Sequence, residues 1–284
     1  MGEKDVNTKY LESYNDVFAD IFNVLLFHDN YIEESQLLDG PTETQYKVED
    51  GNLNTHHRDC IKYYQDTGLA CITYGIENQV TIDKTMPVRI MGYDYDRYAT
   101  QLRNKEDISP IVSIVLYFGK REWRKPLSLH DMISHIPDRV KPFVNDYPIQ
   151  VIDVKRIPKR IRQRFKSDFK IIADFFAEKE KKNYTPSTDA IMHPEAVLHM
   201  IEAFTGDNSY SRIMEEVAED ARKGKVITMC DFAQKMLQQG KQEGVLEGEA
   251  LVVNAILALK SGKTIDELTD TYSEHTLALA QQCI

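Results

Sequence analysis

Between Arg58 and Gln79 the chain reads RDCIKYYQDTGLACITYGIENQ, two runs rich in Ile, Tyr, Cys and Thr around the polar stretch Gln65, Asp66, Thr67 and Gly68. Short runs of this kind around a Gly-ended turn predict a β-hairpin of the longer-loop type, with antiparallel strands. Upstream, Tyr14, Phe18, Ile21, Phe22 and Leu25 recur at i, i+3 and i+4 and predict an amphipathic helix from about Tyr10 to Phe27, capped by Ser13 or Asn15. His28 to Gly40 reads as a connector, Thr44 to Val48 as a strand, and Glu49 to His57 as a polar loop. Downstream, Met86, Ile90, Tyr93, Tyr98 and Leu102 keep helical spacing, with Pro87 suited to a first turn. Pro110 then opens IVSIVLYFG, a continuous β-branched apolar run that predicts a strand covered on both faces. Ser128 begins a short helix, and Tyr147 to Val154 reads as a last strand.

From Pro158 a second helical stripe, Ile161, Phe165, Phe169, Ile172 and Phe176, is accompanied by Lys155, Arg156, Lys159, Arg160, Arg162, Arg164 and Lys166. The run EKEKKNYTP, broken by Pro186, predicts a boundary between residues 1–182 and an all-helical region, 183–284. That region carries helical patterns over Pro194 to Phe204, Arg212 to Lys223 and Thr228 to Leu259, then a Thr264–Glu267 capping box. Gly240, Gly244 and Gly248 interrupt the longest pattern, each costing about 1 kcal/mol against Ala. A close helix–helix contact would offset that cost, and a homo-oligomer through the tail is the expectation.

The hairpin has an acid at each open end. With a register near the one its turn implies, Asp59 lies opposite Glu77, and Glu77 shares a strand face with Gln79. Two carboxylates brought together raise each other's pKa and cost stability unless a cation lies between them. Oxygen ligands suit a hard divalent ion, Mg²⁺ first, with Mn²⁺ or Ca²⁺ as substitutes. On spacing alone, Asp at a strand start and Glu-Asn at a strand end are equally ordinary turn and edge residues. His56 and His57 precede the site without ligand-spaced partners and read as exposed loop residues.

The order Asp59, hairpin, Glu77-x-Gln79 resembles the D…(D/E)xK signature of PD-(D/E)XK nucleases in the variant with Gln for Lys. More narrowly, the chain resembles the recombination-promoting nuclease / putative transposase family. The likeness is carried by Arg58-Asp59, Ile76-Glu77-Asn78-Gln79, Met86-Pro87-x-Arg89, Tyr93-Asp94, Tyr98-x-x-Gln101-Leu102 and Ile114 to Gly119 followed by Trp123, and runs from about Tyr14 to Phe176. It implies an α/β, restriction-endonuclease-like core with a mixed sheet flanked by helices, hydrolysing DNA phosphodiester bonds with Mg²⁺. Asp59, Glu77 and Gln79 would form the catalytic set, Asp59 and Glu77 as ligands. An acid on the first helix is also implied. Relatives commonly read D-x-x-F-K there, and aligning Phe18 puts Asn15 in the acid's place, which leaves Asp16 or Asp20 as the expected helix ligand. Arg89 binds a DNA phosphate, pairs with a site carboxylate, or pairs with Asp94 or Asp96.

Charge narrows the picture. A formal net charge of −10 and a pI near 5.3 argue against binding nucleic acid by bulk attraction. DNA contacts must come from a local basic cluster, for which Lys159, Arg160, Arg162 and Arg164 are the candidates. The four cysteines form no CxxC pair, which gives no zinc ribbon or disulfide framework. No run of about 18 apolar residues occurs, and the first residues lack a signal-peptide core, so a cytoplasmic protein with no membrane partner is expected. The alternative to an enzyme is a non-catalytic, nuclease-like protein that binds DNA or oligomerises.

Overall fold

The computed structural model describes residues 11–41, 43–47, 53–65 and 71–284, with segments 43–47 and 53–57 described by their backbone. The chain divides into two compact units, Met1–Met229 and Cys230–Ile284. In the first, helix α1 (Asn15–Phe22) continues through a π-helical turn, Asn23–Phe27, and ends at His28 in the left-handed region. Its N-cap is Tyr14, with no side-chain cap bond; Asn15 instead donates to the carbonyls of Glu34 and Leu37, both at 3.1 Å. Ser13 and Asn15 are therefore not the cap that the sequence suggests.

Strands follow at β1 (Leu37–Asp39), β2 (Glu43–Lys47), β3 (Leu53–His57), β4 (Cys60–Gln65) and β5 (Cys71–Gln79). β1 lies inside the expected connector, and β3 replaces the expected polar loop, so His56 and His57 belong to a strand. β2 and β3 form a separate antiparallel pair. The hairpin expected between Arg58 and Gln79 is the antiparallel pair β4–β5, while its turn residues Asp66, Thr67 and Gly68 lie outside the described residues. Cys60 and Cys71 stand at opposite ends of its ladder.

Helix α2 (Met86–Arg103) crosses over to β6 (Ile111–Tyr117), which runs parallel to β5. After a short helix, α3 (Leu129–Met132), capped by Ser128, strand β7 (Gln150–Asp153) extends the parallel part. The sheet order is β1-β4-β5-β6-β7, mixed, with β6 in the interior as its unbroken apolar run predicts. Met86 and Ile90 of α2 pack on one face against Val115, Tyr117, Trp123 and Ile149. On the other face Phe22 of α1 meets Tyr74 at 4.9 Å between ring centroids.

The stripe expected as one helix from Pro158 is split into α4 (Lys159–Arg162) and α5 (Phe169–Glu178). Long-range acceptors hold the break open. Asp20 accepts from the backbone N–H groups of Lys166 and Ser167, both at 2.7 Å. Asp168 accepts from those of Met192 and His193, which open α6 (Pro194–Thr205). Helix α7 (Ser209–Arg222) follows, so the first unit runs past Pro186.

The second unit holds all but the first residue of α8 (Met229–Lys260), and α9 (Glu274–Gln282), with Ala255, Leu268, Leu277 and Ala280 as its core. Glu267 accepts from the Thr264 N–H at 2.8 Å, as a capping box does, although turns rather than a helix follow until Ser273 caps α9. A Cβ added at Gly240, Gly244 or Gly248 would meet open space. Among the described residues no helix is long and apolar enough to cross a membrane.

One buried ion pair lies beneath the hairpin. Arg58 and Asp94 are both almost fully buried and bonded, and Asp94 also accepts from Ser113 Oγ at 2.9 Å and from the Tyr147 hydroxyl. Asp94→Ala strands the Arg58 guanidinium, and the expected loss is roughly 3–5 kcal/mol of unfolding free energy, measured by urea titration. Arg58→Met combined with Asp94→Leu is expected to recover much of it. Equal losses in the single and double variants would contradict this account.

Candidate active site

The hairpin ladder runs Gln65↔Cys71 to Cys60↔Ile76, so the next residues outward are Asp59 and Glu77. Asp59 Oδ2 accepts the backbone N–H of Asn78 at 2.6 Å, which closes the open end of the hairpin. Glu77 is 3% exposed. It stands beside Val115 in the parallel ladder, on the face covered by α2, and this is why Arg89 of α2 reaches it. Arg89 pairs with Glu77 Oε1, donates to Asp83 at 2.8 Å and donates to the Tyr93 hydroxyl at 3.0 Å. Of the roles open to Arg89 in the sequence, pairing with a site carboxylate is the one observed; Asp94 belongs to Arg58 instead. Gln79 Nε2 donates to the same Glu77 oxygen at 3.1 Å.

A third carboxylate, absent from the sequence expectation, arrives from the residues before α1. Glu12 is fully buried, and its Oε2 accepts from Asn78 Nδ2 at 2.8 Å. Its backbone is tied to β4 on both sides: the Cys60 thiol donates to the Glu12 carbonyl at 3.4 Å, and the buried Lys62 amine donates to the Ser13 carbonyl at 2.7 Å. Asp16 and Asp20 do not take this position. Asp16 faces His193, whose ring lies 3.1 Å from its Oδ2, and Asp20 caps the break before α5. Glu12, rather than the expected Asp16 or Asp20, is the acid that the chain ahead of α1 brings beside the hairpin.

Three buried oxygens here have no hydrogen-bond partner: Glu12 Oε1, Glu77 Oε2 and Asn78 Oδ1. Orphaned acceptors at such a site normally demand a donor or a cation. All the groups are hard oxygens, which suits Mg²⁺, Mn²⁺ or Ca²⁺ rather than a thiophilic metal. Among the described residues no three His, Cys, Asp or Glu side chains form a ready-made ion cage. The Arg89 guanidinium neutralises Glu77 in its place.

Of the expected DNA contacts, Arg162 is corrected. It is buried and bonded to Asp174, Glu178 and the Ile157 carbonyl, an anchor for α4 and α5. Lys159 and Arg160 are exposed on α4, and Arg164 is exposed and donates to the His28 carbonyl.

Burial pushes the Glu12 carboxyl up to about 8, with Asp59 and Glu77 adding repulsion. Burial and then Asp59 likewise raise Glu77, against the pull of Arg89 and Arg58. Both acids hold protons more tightly folded than unfolded, so folding stability falls as pH rises from about 4.5 toward about 8. In EDTA, Glu12→Gln is expected to unfold at higher urea than the wild type at pH 8, with the gap closing toward pH 5. Parallel pH profiles for the two proteins would contradict the buried-acid assignment.

No curated protein and no solved structure matches the chain. A family model described as Putative transposase, YhgA-like, matches residues 45–184, just under half of the chain. Asp59, Glu77, Gln79 and Arg89 fall inside that segment and Glu12 outside it. Over residues 45–184 the chain is thus similar to the family described as Putative transposase, YhgA-like.

Proposed function

We propose that the chain is a metal-dependent nuclease of the PD-(D/E)XK kind that hydrolyses phosphodiester bonds in DNA with little sequence specificity. The observation that carries this reading is that Asp59 and Glu77 stand at the open end of β4–β5 with Glu12 near enough to feel both charges, while buried oxygens of Glu12, Glu77 and Asn78 are left without donors. The mixed sheet flanked by helices and the family's description as transposases, which act on DNA, support it.

In this reading Asp59 and Glu77 hold the divalent ion, with Glu12 as the third acid. Bound there, Mg²⁺ would lower the pKa of a water and polarise a phosphoryl oxygen. The chain's own residues supply position. Asn78 fixes Asp59 through its backbone N–H and Glu12 through its side chain, so both acids are set by one residue of β5. Gln79 has no ionisable proton at neutral pH, so it orients Glu77 or donates to a phosphate and does not act as a base. Arg89 keeps Glu77 compensated before an ion arrives. The competing reading, a DNA-binding protein without catalysis, has one observation in its favour: a guanidinium already neutralises Glu77.

With Mg²⁺ or Mn²⁺ the wild type is expected to cut plasmid DNA, and with EDTA not. Asp59→Ala and Glu77→Ala abolish cutting, Glu12→Gln lowers it about 10- to 100-fold, as perturbing a metal's supporting shell does, and Gln79→Lys keeps part of it. Full activity in Asp59→Ala would refute the assignment. Equal behaviour of wild type and Glu77→Ala, together with no Mn²⁺-induced rise in Tm, selects the non-catalytic reading.

A further inference from the structure

The loop that leaves Gln79 opens directly into a second feature. At the carboxyl ends of the parallel strands β5 and β6, a cavity of about 940 Å³ is lined by Val80, Ile82 and Lys84 on one side and Phe118, Lys120 and Arg121 on another. Lys125, Lys155 and Lys179 complete a set of six cationic side chains, against a single carboxylate in the lining, Glu180. In a chain of net charge −10 this concentration is the reverse of the whole. Lys155 pairs with Glu180 at 3.4 Å and Lys125 with Asp131 at 2.7 Å. Among the described residues Lys84, Lys120, Arg121 and Lys179 make no ion pair.

Like charges gathered without counter-charge are held at a cost that an anion removes. The half-buried Lys179 amine shows this cost: burial, then Lys155 and Lys120, push its pKa down. The floor is aromatic, with the part-exposed Phe204 ring lying over the buried Phe118 and Phe176. Phe118 and Phe204 stack at 4.0 Å, Phe176 lies beside Phe118 at 5.2 Å, and Lys179 Nζ sits 5.0 Å from the Phe176 ring. Cations over aromatic faces make up the chemistry by which proteins hold a nucleic-acid strand, phosphates on the amines and bases on the rings. The position fits as well, since ligands of open sheets bind beyond the carboxyl ends of parallel strands. Asp83, in the same loop as Val80 and Ile82, bonds Arg89, which pairs with Glu77, so one loop links the cavity to the carboxylates.

We propose that this cavity binds a nucleic-acid strand by its phosphates, seating one base against the part-exposed Phe204 ring. The path of the strand from there past Gln79 to Glu77 rests on the nuclease reading; the binding itself does not. A free nucleotide presents the same chemistry, and the test separates the two.

The full chain is titrated against a labelled single-stranded oligonucleotide in EDTA, with fluorescence anisotropy at several salt concentrations. Lys120→Glu combined with Arg121→Glu, both exposed, and separately Lys179→Gln are compared with Lys159→Glu combined with Arg160→Glu; circular dichroism checks folding. The cavity variants are expected to weaken binding at least about tenfold and to flatten the salt dependence, by about 0.7 per lost phosphate contact. Unchanged binding in both cavity variants, or loss confined to the Lys159/Arg160 variant, overturns the proposal. Displacement of the strand by micromolar mononucleotide, with inorganic phosphate as a control, overturns the strand assignment in favour of a nucleotide site. The two readings fail separately. Binding that needs the cavity lysines, in a protein that cuts with no metal, sinks the nuclease alone. Glu77-dependent cutting with wild-type binding in the cavity variants sinks the cavity alone.

Discussion

The antiparallel register of β4 against β5 is the constraint from which the rest of the site follows. Because strand side chains alternate, a slip of one residue would turn Glu77 away from α2 and bring Asn78 to its face. With Cys60 opposite Ile76, the N–H of Asn78 points at Asp59 and its side-chain amide at Glu12. Acids from two distant parts of the chain are therefore fixed by one asparagine on a strand that has neighbours on both sides. Below it, the buried Arg58 sits so close under Gly75 that a Cβ there would come within 2.2 Å of its guanidinium. Glycine at that rung is what lets the ion pair with Asp94 lie flat beneath the hairpin.

The hairpin was legible in the sequence because its strands are long, β-rich and bounded by polar residues. The interior strand β6 was legible because its apolar run is unbroken, and the long tail helix because its pattern is long enough to outweigh the three glycines within it. β1 has only three residues, too few for alternation to show. The split between α4 and α5 has no local signal either, since the apolar stripe continues across it. It is held by Asp20, some 146 residues away, and by the bonds from Asp168 to the start of α6.

The third acid illustrates a finer limit. Glu12, Asp16 and Asp20 are spaced four apart, and a helical wheel puts them in one row. The chain kinks at Ser13 and Tyr14, so the row is not continuous, and only the member before the kink meets the hairpin. The basic run near Pro158 misleads in a comparable way. Charge counting cannot tell a solvated guanidinium from one, like Arg162, spent on holding two helices together. The lysines of the β5–β6 cavity come from four separated segments and form no run at all.

The family match begins at residue 45, yet β1 at Leu37–Asp39 is hydrogen-bonded along β4. The matched segment of this chain is thus not a closed structural unit. Without the preceding residues, β4 would present a bare row of N–H and C=O groups, the kind of uncovered sheet edge that recruits other chains into aggregates. β1 acts in this sense as a guard on solubility, and the same upstream stretch, at Glu12, is the source of one carboxylate. What that stretch must keep is less a particular sequence than a backbone able to cover the edge.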